Sequence, residues 1–183
     1  MDFRKNYFEL FDVDVSFTVD LKALSEKFLD LQRKSHPDKF TNESAAEQRL
    51  AVQHSAHVNT ANRTLKSPLL RAEYLLELAA NPLNRESMTI NDSQFLMAQM
   101  ECRESLAELA DRVNAQSVEA LVATEALEVF SAQAHYEHTS LLDAFALAYT
   151  SQQFFDAQQA IAKLHFVEKM LLEIERIEDN LLG

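Results

Sequence analysis

The sequence predicts an all-α fold, and its shortage of glycine is the main reason. The 183 residues include three prolines and a single glycine, Gly183. Hairpin turns and doubly wound folds need many residues at positive φ, which glycine supplies most easily. Gly-rich phosphate-binding loops are excluded for the same reason. With 47% apolar and 25% charged residues, the composition is typical of a soluble globular protein and not of a disordered one.

Helical spacing of apolar residues predicts a first group of helices before a break at 81–84, where proline and two asparagines occur. The last helix of this group has Ser67 as its N-cap and Pro68 in its first turn. The predicted spans are about 5–10, about 19–34, about 43–66 and a helix that follows Ser67.

Beyond the break, the same spacing predicts four further helices. They cover about 92–113, 116–136, 139–151 and 153–181. The break and the change of charge beside it predict two domains, at 1–78 and 92–183, joined by a linker at 79–91.

Charge is distributed unevenly along the chain. Residues 1–85 hold twelve basic and twelve acidic residues, whereas residues 86–183 hold five and seventeen and therefore carry the whole net charge of −12. An acidic protein that keeps one basic region is a poor candidate for nucleic-acid binding and a better one for docking on an acidic protein surface. No apolar run is long enough for a membrane span, and the N-terminus resembles neither a signal nor a transit peptide, which predicts a cytoplasmic protein.

The second predicted helix combines an apolar stripe with a basic face. Leu21, Leu24, Phe28 and Leu31 share one side of a helical wheel, and four cations lie on the other side. The simplest interpretation of such a face is that its charges face solvent and bind no partner. The cations are Lys22, Lys27, Arg33 and Lys34.

A stiff corner follows this basic helix directly. Pro37 fixes its own φ and moves His36 out of the helical region, so the chain must turn at His36-Pro37-Asp38-Lys39-Phe40. The Asp38 carboxylate would then lie beside the basic end of the helix. Taken alone, the tripeptide is compatible with an ordinary turn.

In this order, the elements of residues 5–76 resemble a J-domain: a short helix with Tyr7 and Leu10, a basic helix, His-Pro-Asp, and a long helix with Asn59, Ala61 and Leu65. The resemblance implies docking on a DnaK-type chaperone ATPase and faster ATP hydrolysis by that partner. It implies that His36, Pro37 and Asp38 stimulate the ATPase, while the basic face supplies electrostatic contact. The candidates for that contact are Lys22, Lys27, Arg33, Lys34 and Lys39.

Three further stretches narrow the resemblance. His-Pro-Asp-Lys-Phe at 36–40, Pro-Leu-Leu-Arg-Ala-Glu-Tyr-Leu-Leu at 68–76 and Phe-Leu-Met at 95–97 are together similar to the HscB family of iron–sulfur co-chaperones. The Gly/Phe linker and cysteine repeats of general J-proteins are missing from the sequence. The resemblance implies a J-domain, in which a helical hairpin carries the His-Pro-Asp loop, and a C-terminal three-helix bundle. It further implies a non-enzymatic protein without cofactor or metal, whose partners are the chaperone HscA and the scaffold IscU.

The helix at 92–113 carries a second candidate surface. Phe95, Cys102, Leu106, Leu109 and Val113 form its core stripe, whereas Leu96, Met97 and Met100 point elsewhere among acidic residues. Exposed apolar groups with adaptable methionines favour a binding face, and packing within the bundle is the alternative. The resemblance implies that the scaffold-binding residues are Leu96, Met97, Met100, Glu101, Glu104, Glu108 and Phe166.

Other features support rival interpretations. His54/His57 and His135/His138 have the spacing of paired metal ligands, but no histidine has glutamate three residues before it, as a helical di-iron site requires. The alternatives to a co-chaperone are a helical enzyme or metal-binding bundle and a plain helical adaptor. Cys102 is predicted to be a buried structural thiol. The sequence shows no sustained charged heptad pattern of a coiled-coil dimer and leaves the oligomeric state open.

Overall fold

The computed structural model describes residues 4–35, 39, 43–83, 89–113 and 118–182. The chain divides into two compact units, Met1–Pro82 and Leu83–Gly183. The described residues form α-helices and contain no β-strand, which confirms the all-α class. The helices are α1 (Tyr7–Leu10), α2 (Leu21–Ser35), α3 (Ala45–Lys66), α4 (Pro68–Leu78), α5 (Ser93–Val113), α6 (Val118–Thr150) and α7 (Phe154–Leu182).

The helices of the first unit begin at side-chain caps. The Asn6 side chain accepts the Glu9 N–H at 2.9 Å, and the Glu9 carboxylate accepts the Asn6 N–H in return. Ser44 and Glu47 form the same reciprocal box at the start of α3. The Ser67 hydroxyl accepts the Leu70 N–H at 3.3 Å with proline at the head of α4, which confirms the predicted start of this helix.

The core of the first unit lies where α1, α2 and α4 pack around α3. Phe8, Leu24, Val58, Leu65 and Leu75 have no exposed surface. Burial of these side chains is the main driving force that holds the unit together.

The predicted apolar stripe of α2 is not buried along its whole length. Leu24 is buried and Phe28 and Leu31 are half-buried, but Leu21 is 49% exposed. Leu21 is the first residue of α2, and helical side chains point back toward the N-terminus. No preceding turn of α2 lies beneath this side chain, which leaves much of it exposed.

In the second unit, α6 is one helix where the spacing predicted two. The predicted interruption between residues 136 and 139 is wrong, because α6 runs without a break from Val118 to Thr150. Neither glycine nor proline occurs there to stop the helix. The Thr139 hydroxyl donates to the His135 carbonyl oxygen at 3.0 Å, which keeps this polar side chain satisfied inside the helix. The described part of the unit therefore has three long helices, as the family resemblance implies.

Two clusters form the core of the second unit. Leu106, Leu127, Ala134, Met170 and Ile174 make one of them. Ile90, Phe95, Ala162 and Val167 make the other. Cys102 packs at the edge of the first cluster, where burial raises the pKa of its thiol and the charges of Glu137 and Glu101 raise it further. Cys102 is half-buried and not buried as predicted, because it lies at the edge of the cluster and not inside it.

Part of the predicted linker is anchored on the second unit. The Gln159 side chain of α7 accepts the Asn91 N–H at 2.9 Å and donates to the Thr89 carbonyl oxygen at 3.0 Å. The division between the two units falls at Pro82 and Leu83, inside the predicted linker. The proposed domain limits at residues 78 and 92 stay predictions.

Candidate functional site

The basic face of α2 is present on the surface of the first unit. Lys22, Arg33 and Lys34 are exposed, as is Lys39 beyond the helix. Arg33 lies 3.6 Å from the Asp30 carboxylate, an exposed pair of little energetic weight. These cations are therefore accessible to a partner, as the docking hypothesis requires.

Lys27 differs from the other cations because the chain itself uses it. Its Nζ lies 3.1 Å from the Asp12 carboxylate and also donates to the Asp12 carbonyl oxygen. Asp12 has a left-handed φ of 51° in the turn that follows α1. Lys27 thus ties this turn to α2, and a partner would have to compete with that contact.

His36, Pro37 and Asp38 lie outside the described residues. The two helices on either side of them are described, and α2 packs against α3. The Gln32 amide donates to the Asn59 side chain at 3.4 Å across this pair. The predicted loop therefore lies in the sequence between two helices that pack against each other.

The stretch Arg71–Leu76, which carried much of the family resemblance, holds the first unit together. The Arg71 guanidinium donates to the Leu65 carbonyl oxygen at the end of α3 and lies 5.3 Å from the centroid of the Phe17 ring. Burial lowers the pKa of Arg71, and the contact with Phe17 is the cation–π interaction expected of a desolvated guanidinium.

Tyr74 completes this arrangement on the side of α1. Its hydroxyl oxygen accepts the Tyr7 N–H at 3.0 Å, and the two rings stack with centroids 4.4 Å apart. Burial raises the pKa of Tyr74, so the phenol stays neutral. The stretch thus joins α4 to α1, to the end of α3 and to the loop before α2.

A groove of about 360 Å³ lies between α5 and α7 in the second unit. Three of the predicted scaffold-binding residues, Leu96, Met100 and Phe166, meet in its wall. Phe166 is 43% exposed, and its ring meets the buried Phe95 ring edge to face at 6.4 Å. Because Phe95 fixes one side of this ring, the groove presents a preformed apolar anchor. The lining residues are Leu96, Gln99, Met100, Arg103, Phe166, Lys169, Met170 and Glu173.

The exposure of the α5 side chains tests the alternative that they pack within the bundle. Met97 and Met100 are 63% and 65% exposed, so neither is a core residue. Leu96 is half-buried against the cluster that contains Phe95. Packing within the bundle therefore accounts for part of the Leu96 side chain and for neither methionine.

The remaining predicted residues form a stripe beside the groove, which we call the acidic stripe. It consists of Met97, Glu101, Glu104 and Glu108, all exposed and turned about 100° around α5 from the groove residues Leu96 and Met100. Glu108 lies 3.9 Å from Arg112. The predicted surface is thus divided into an apolar groove and an adjacent acidic stripe.

Four polar residues of the groove were missed from the sequence: Gln99, Arg103, Lys169 and Glu173. The Lys169 Nζ lies 6.0 Å from the centroid of the Phe166 ring, so a cation borders the apolar anchor. These residues follow Leu96 and Phe166 at three- and seven-residue spacing on their helices. That spacing could have identified them, because such residues share a helix face.

The two histidine pairs considered as metal ligands lie on α3 and α6. Among the described residues, no group of three or more His, Cys, Asp or Glu side chains is placed to hold a metal ion. His138 lies 3.6 Å from the Glu168 carboxylate, and His54 is buried in α3. None of the described helices is long and apolar enough to cross a membrane.

Comparison with known proteins finds relatives over nearly the whole chain. Residues 91–175 match the family model described as the HSCB C-terminal oligomerisation domain. The co-chaperone protein HscB homolog of Pasteurella multocida is 42% identical over 97% of this chain and 98% of its own length. That of Shewanella loihica is 41% identical over 96% and 99%.

Solved structures agree with these relatives. The chaperone HscB of Vibrio cholerae matches with a TM-score of 0.84 and 36% identity over 97% of this chain and 99% of its own. The human co-chaperone protein HscB matches with a TM-score of 0.84 and 29% identity over 97% of this chain and 84% of its own. With two units of the expected helical architecture and relatives above 40% identity, the chain belongs to the HscB family of co-chaperones.

Proposed function

We propose that this protein is a non-enzymatic co-chaperone of iron–sulfur cluster biogenesis that couples two partners. The first unit docks on the DnaK-type chaperone HscA through the basic face of α2 and stimulates its ATP hydrolysis through His36, Pro37 and Asp38. The second unit binds the scaffold IscU through the groove and the acidic stripe and delivers it to the chaperone. The setting is the cytoplasm, and the protein needs no cofactor of its own.

One observation carries the proposal: each unit has its own exposed surface with the chemistry of a protein contact. Exposed cations lead along α2 to the His-Pro-Asp loop. An apolar groove with a fixed aromatic wall and an acidic stripe lies on the other unit. Because the two surfaces belong to separate compact units, both partners could be held at once.

The stimulatory role of Asp38 has a direct physical reason. A carboxylate on a stiff loop can compete for a guanidinium inside the partner through a charge-assisted hydrogen bond. If it binds one conformation of the partner better, it shifts the partner toward that conformation. The cations of α2 would mainly speed the encounter with the chaperone and orient the two proteins.

The test is steady-state ATP hydrolysis by HscA with this protein and IscU, each added alone and then together. We expect the combined stimulation to exceed the sum of the two, because one chain couples both partners. Asp38→Ala should abolish stimulation by this protein and leave IscU binding unchanged. Normal stimulation by that variant would refute the J-domain role.

A second pair of variants tests the groove. Phe166→Ala removes the aromatic wall and should weaken IscU binding by roughly tenfold, the usual range for an interface anchor. It should leave stimulation by this protein alone unchanged. Phe155→Ala is the matched control, since Phe155 is a 59% exposed phenylalanine of α7 outside the groove. Equal losses in both variants would contradict the assignment of the groove.

A further inference from the structure

A second groove of the second unit lies between α6 and α7 and has a volume of about 420 Å³. We call it the α6–α7 groove. Its α7 residues are turned roughly 170° around that helix from Phe166 and the other α7 residues of the groove beside α5. Among the described residues, those of α5 take no part in its lining, so it is separate from the proposed scaffold site. The α7 residues that line it are Glu168, Leu171, Leu172, Ile174, Glu175 and Glu178.

The floor of the α6–α7 groove is apolar. Ile174 is buried, and Leu171 is half-buried against both core clusters of the unit. Leu172, in contrast, is 60% exposed. An exposed leucine that continues an apolar floor is available to an apolar side chain of a ligand, and exposed apolar surface of this kind marks interaction sites.

Carboxylates lie at both ends of this floor. Glu168 comes four residues before Leu172, and Glu175 and Glu178 come three and six residues after it. From Glu168 to Glu178 the helix rises about 15 Å. Glu175 is exposed, and the other two carboxylates are half-buried. Among the described residues that line the groove, none is a lysine or an arginine.

The opposite wall of the groove adds no permanent positive charge. It is formed by Ser131, His135 and His138 of α6, and His138 lies 3.6 Å from the Glu168 carboxylate. The sequence of α6, from Val118 to Thr150, contains five acidic residues and neither lysine nor arginine. The negative charge of the groove is therefore not offset by a lysine or arginine of α6.

We propose that the α6–α7 groove binds a basic amphipathic helix of another protein. The ligand helix places one large apolar side chain, such as leucine, on Leu171 and Leu172. It carries a lysine or arginine four residues before that leucine and another four residues after it. These cations meet Glu168 at one end of the floor and Glu175 with Glu178 at the other. The partner is a protein beyond those of the proposed function.

The spacing along α7 sets the spacing in the ligand. Residues four apart on a helix share a face and lie about 6 Å apart along its axis. The rise from Glu168 to Leu172 is also about 6 Å, and that from Leu172 to Glu175 is about 4.5 Å. A helix laid along α7 therefore brings its leucine and both cations to the matching groups at once, which is the usual way in which a groove recognises an amphipathic helix.

Backbone hydrogen bonding favours a helix over an extended segment as the ligand. The backbone groups of α6 and α7 that border the groove are used within their own helices. An extended segment would find no backbone partners there, and its own N–H and C=O groups would lose water without compensation. A helix satisfies these groups internally and presents only side chains to the groove.

The chemistry of the groove also excludes other classes of ligand. Its carboxylates repel the phosphates of a nucleic acid. A small cation or polyamine would satisfy the carboxylates and leave the apolar floor uncovered. A basic amphipathic helix uses both features. Because exposed ion pairs contribute little each, we expect a weak complex, with a dissociation constant on the order of 10–100 µM.

Fluorescence anisotropy of a labelled synthetic peptide, titrated with the full chain at about pH 8 and about 0.15 M NaCl, tests the proposal. The probe is an alanine-rich helical peptide of about fifteen residues, with a central leucine and a lysine four residues away on each side. A control peptide has the same composition, but its lysines lie on the face opposite the leucine. We expect the control peptide to bind at least about fivefold more weakly than the probe.

Two variants and a matched control locate the binding site. Glu175→Lys places a cation at one end of the floor and should weaken probe binding about fivefold or more. Leu172→Ala removes apolar contact and should weaken it several-fold. Asp143→Lys changes the net charge by the same amount as Glu175→Lys, but Asp143 is an exposed residue of α6 outside the lining. This control should leave the affinity within about twofold. Far-UV circular dichroism should be unchanged in all three, because the substituted residues are exposed.

A charge swap tests the pairing directly. A probe in which one lysine is replaced by glutamate should bind the Glu175→Lys variant more tightly than it binds the unsubstituted chain. The order of lysine, leucine and lysine is symmetric, so either orientation of the peptide can bring the glutamate to residue 175. Tighter binding to the unsubstituted chain would contradict the pairing.

The outcomes that overturn the proposal are distinct. Equal binding of the probe and the control peptide, or no binding of the probe up to about 1 mM, overturns the proposed ligand. Equal weakening by Glu175→Lys and Asp143→Lys overturns the site, because the attraction would then come from the net charge of the chain. None of these measurements involves IscU or HscA, so each result is separate from the proposed function.

Discussion

At the residue scale, two buried polar side chains have a strong influence on the stability of the first unit. Arg71 and His54 are the buried polar residues of the described chain, 7% and 9% exposed. The positive charge of Arg71 is stabilised by a backbone carbonyl oxygen and by an aromatic ring. A buried charge is tolerated only when it is paired in this way. His54 avoids the problem by remaining neutral.

The stability of the first unit should depend on pH through His54. Burial lowers the pKa of His54, and the positive charge of His57 adds to the effect. Because the folded pKa lies below that of the unfolded chain, the contribution is fully present above about pH 6.5 and is lost as pH falls below it. Thermal unfolding of the full chain should therefore show a lower midpoint at pH 5.5 than at pH 7.5.

Substitution separates His54 from other titrating groups. His54→Leu should remove a large part of this pH dependence, whereas His135→Gln, at an exposed histidine of α6, should retain it. An unchanged pH dependence in His54→Leu would show that the effect comes from another group. The lowered pKa values of Glu47 and Asp92 affect stability only at more acidic pH, near and below their ordinary values.

At the element scale, the continuity of α6 determines which surfaces the second unit presents. If a turn interrupted residues 136–139, the exposed side chains of Val122, Val129 and Tyr136 would lie on a different helix from that of Leu147. The single helix from Val118 to Thr150 instead aligns them. The same continuity lets α6 pack along α7 over much of its length, so each turn is supported by neighbours as well as by its own hydrogen bonds.

Proline at residue 139 tests this continuity. Thr139→Pro in the middle of a helix removes a hydrogen bond and clashes with the preceding turn, so it should destabilise the unit by about 3 kcal/mol. If a new helix began at 139, as the spacing predicted, proline there would be tolerated. Urea unfolding measures the difference, with Thr139→Ala as the control that should cost nothing. A loss below about 0.5 kcal/mol in the proline variant would support two helices.

At the scale of the whole molecule, the uneven charge predicts how the proposed chaperone contact responds to salt. Residues 1–85 have no net charge, whereas residues 86–183 carry the whole net charge of −12. The basic face of α2 attracts an acidic partner, and salt screens that attraction. Added salt should therefore weaken the contact with the chaperone.

Affinities at about 0.05 M and about 0.3 M NaCl provide the measurement. Binding to HscA should weaken several-fold at the higher concentration. Lys22→Gln should reduce this salt response, because it removes one exposed cation of α2. An affinity for HscA that salt leaves unchanged would mean that the basic face of α2 does not contribute to the contact.

The sequence by itself determined the fold class, most helix ends and the family. These depend on local chemistry: a chain with one glycine lacks the residue that tight turns favour most, and Ser67 and Pro68 are typical of a helix start. The stretch around Arg71 identified the family, although its contacts with Phe17 and the end of α3 appear only in the folded unit. The roles of His36, Pro37 and Asp38 stay predictions from resemblance.

Only the tertiary structure decided which faces remain free. A helical wheel places Leu96 and Met100 near each other, but Phe166 joins them because α7 packs beside α5. Lys169 enters the same groove from α7, and the exposed stripe of α6 emerges because its neighbours cover the opposite side of the helix. The physical reason is that periodicity describes one helix at a time, whereas burial depends on the neighbours that pack against it.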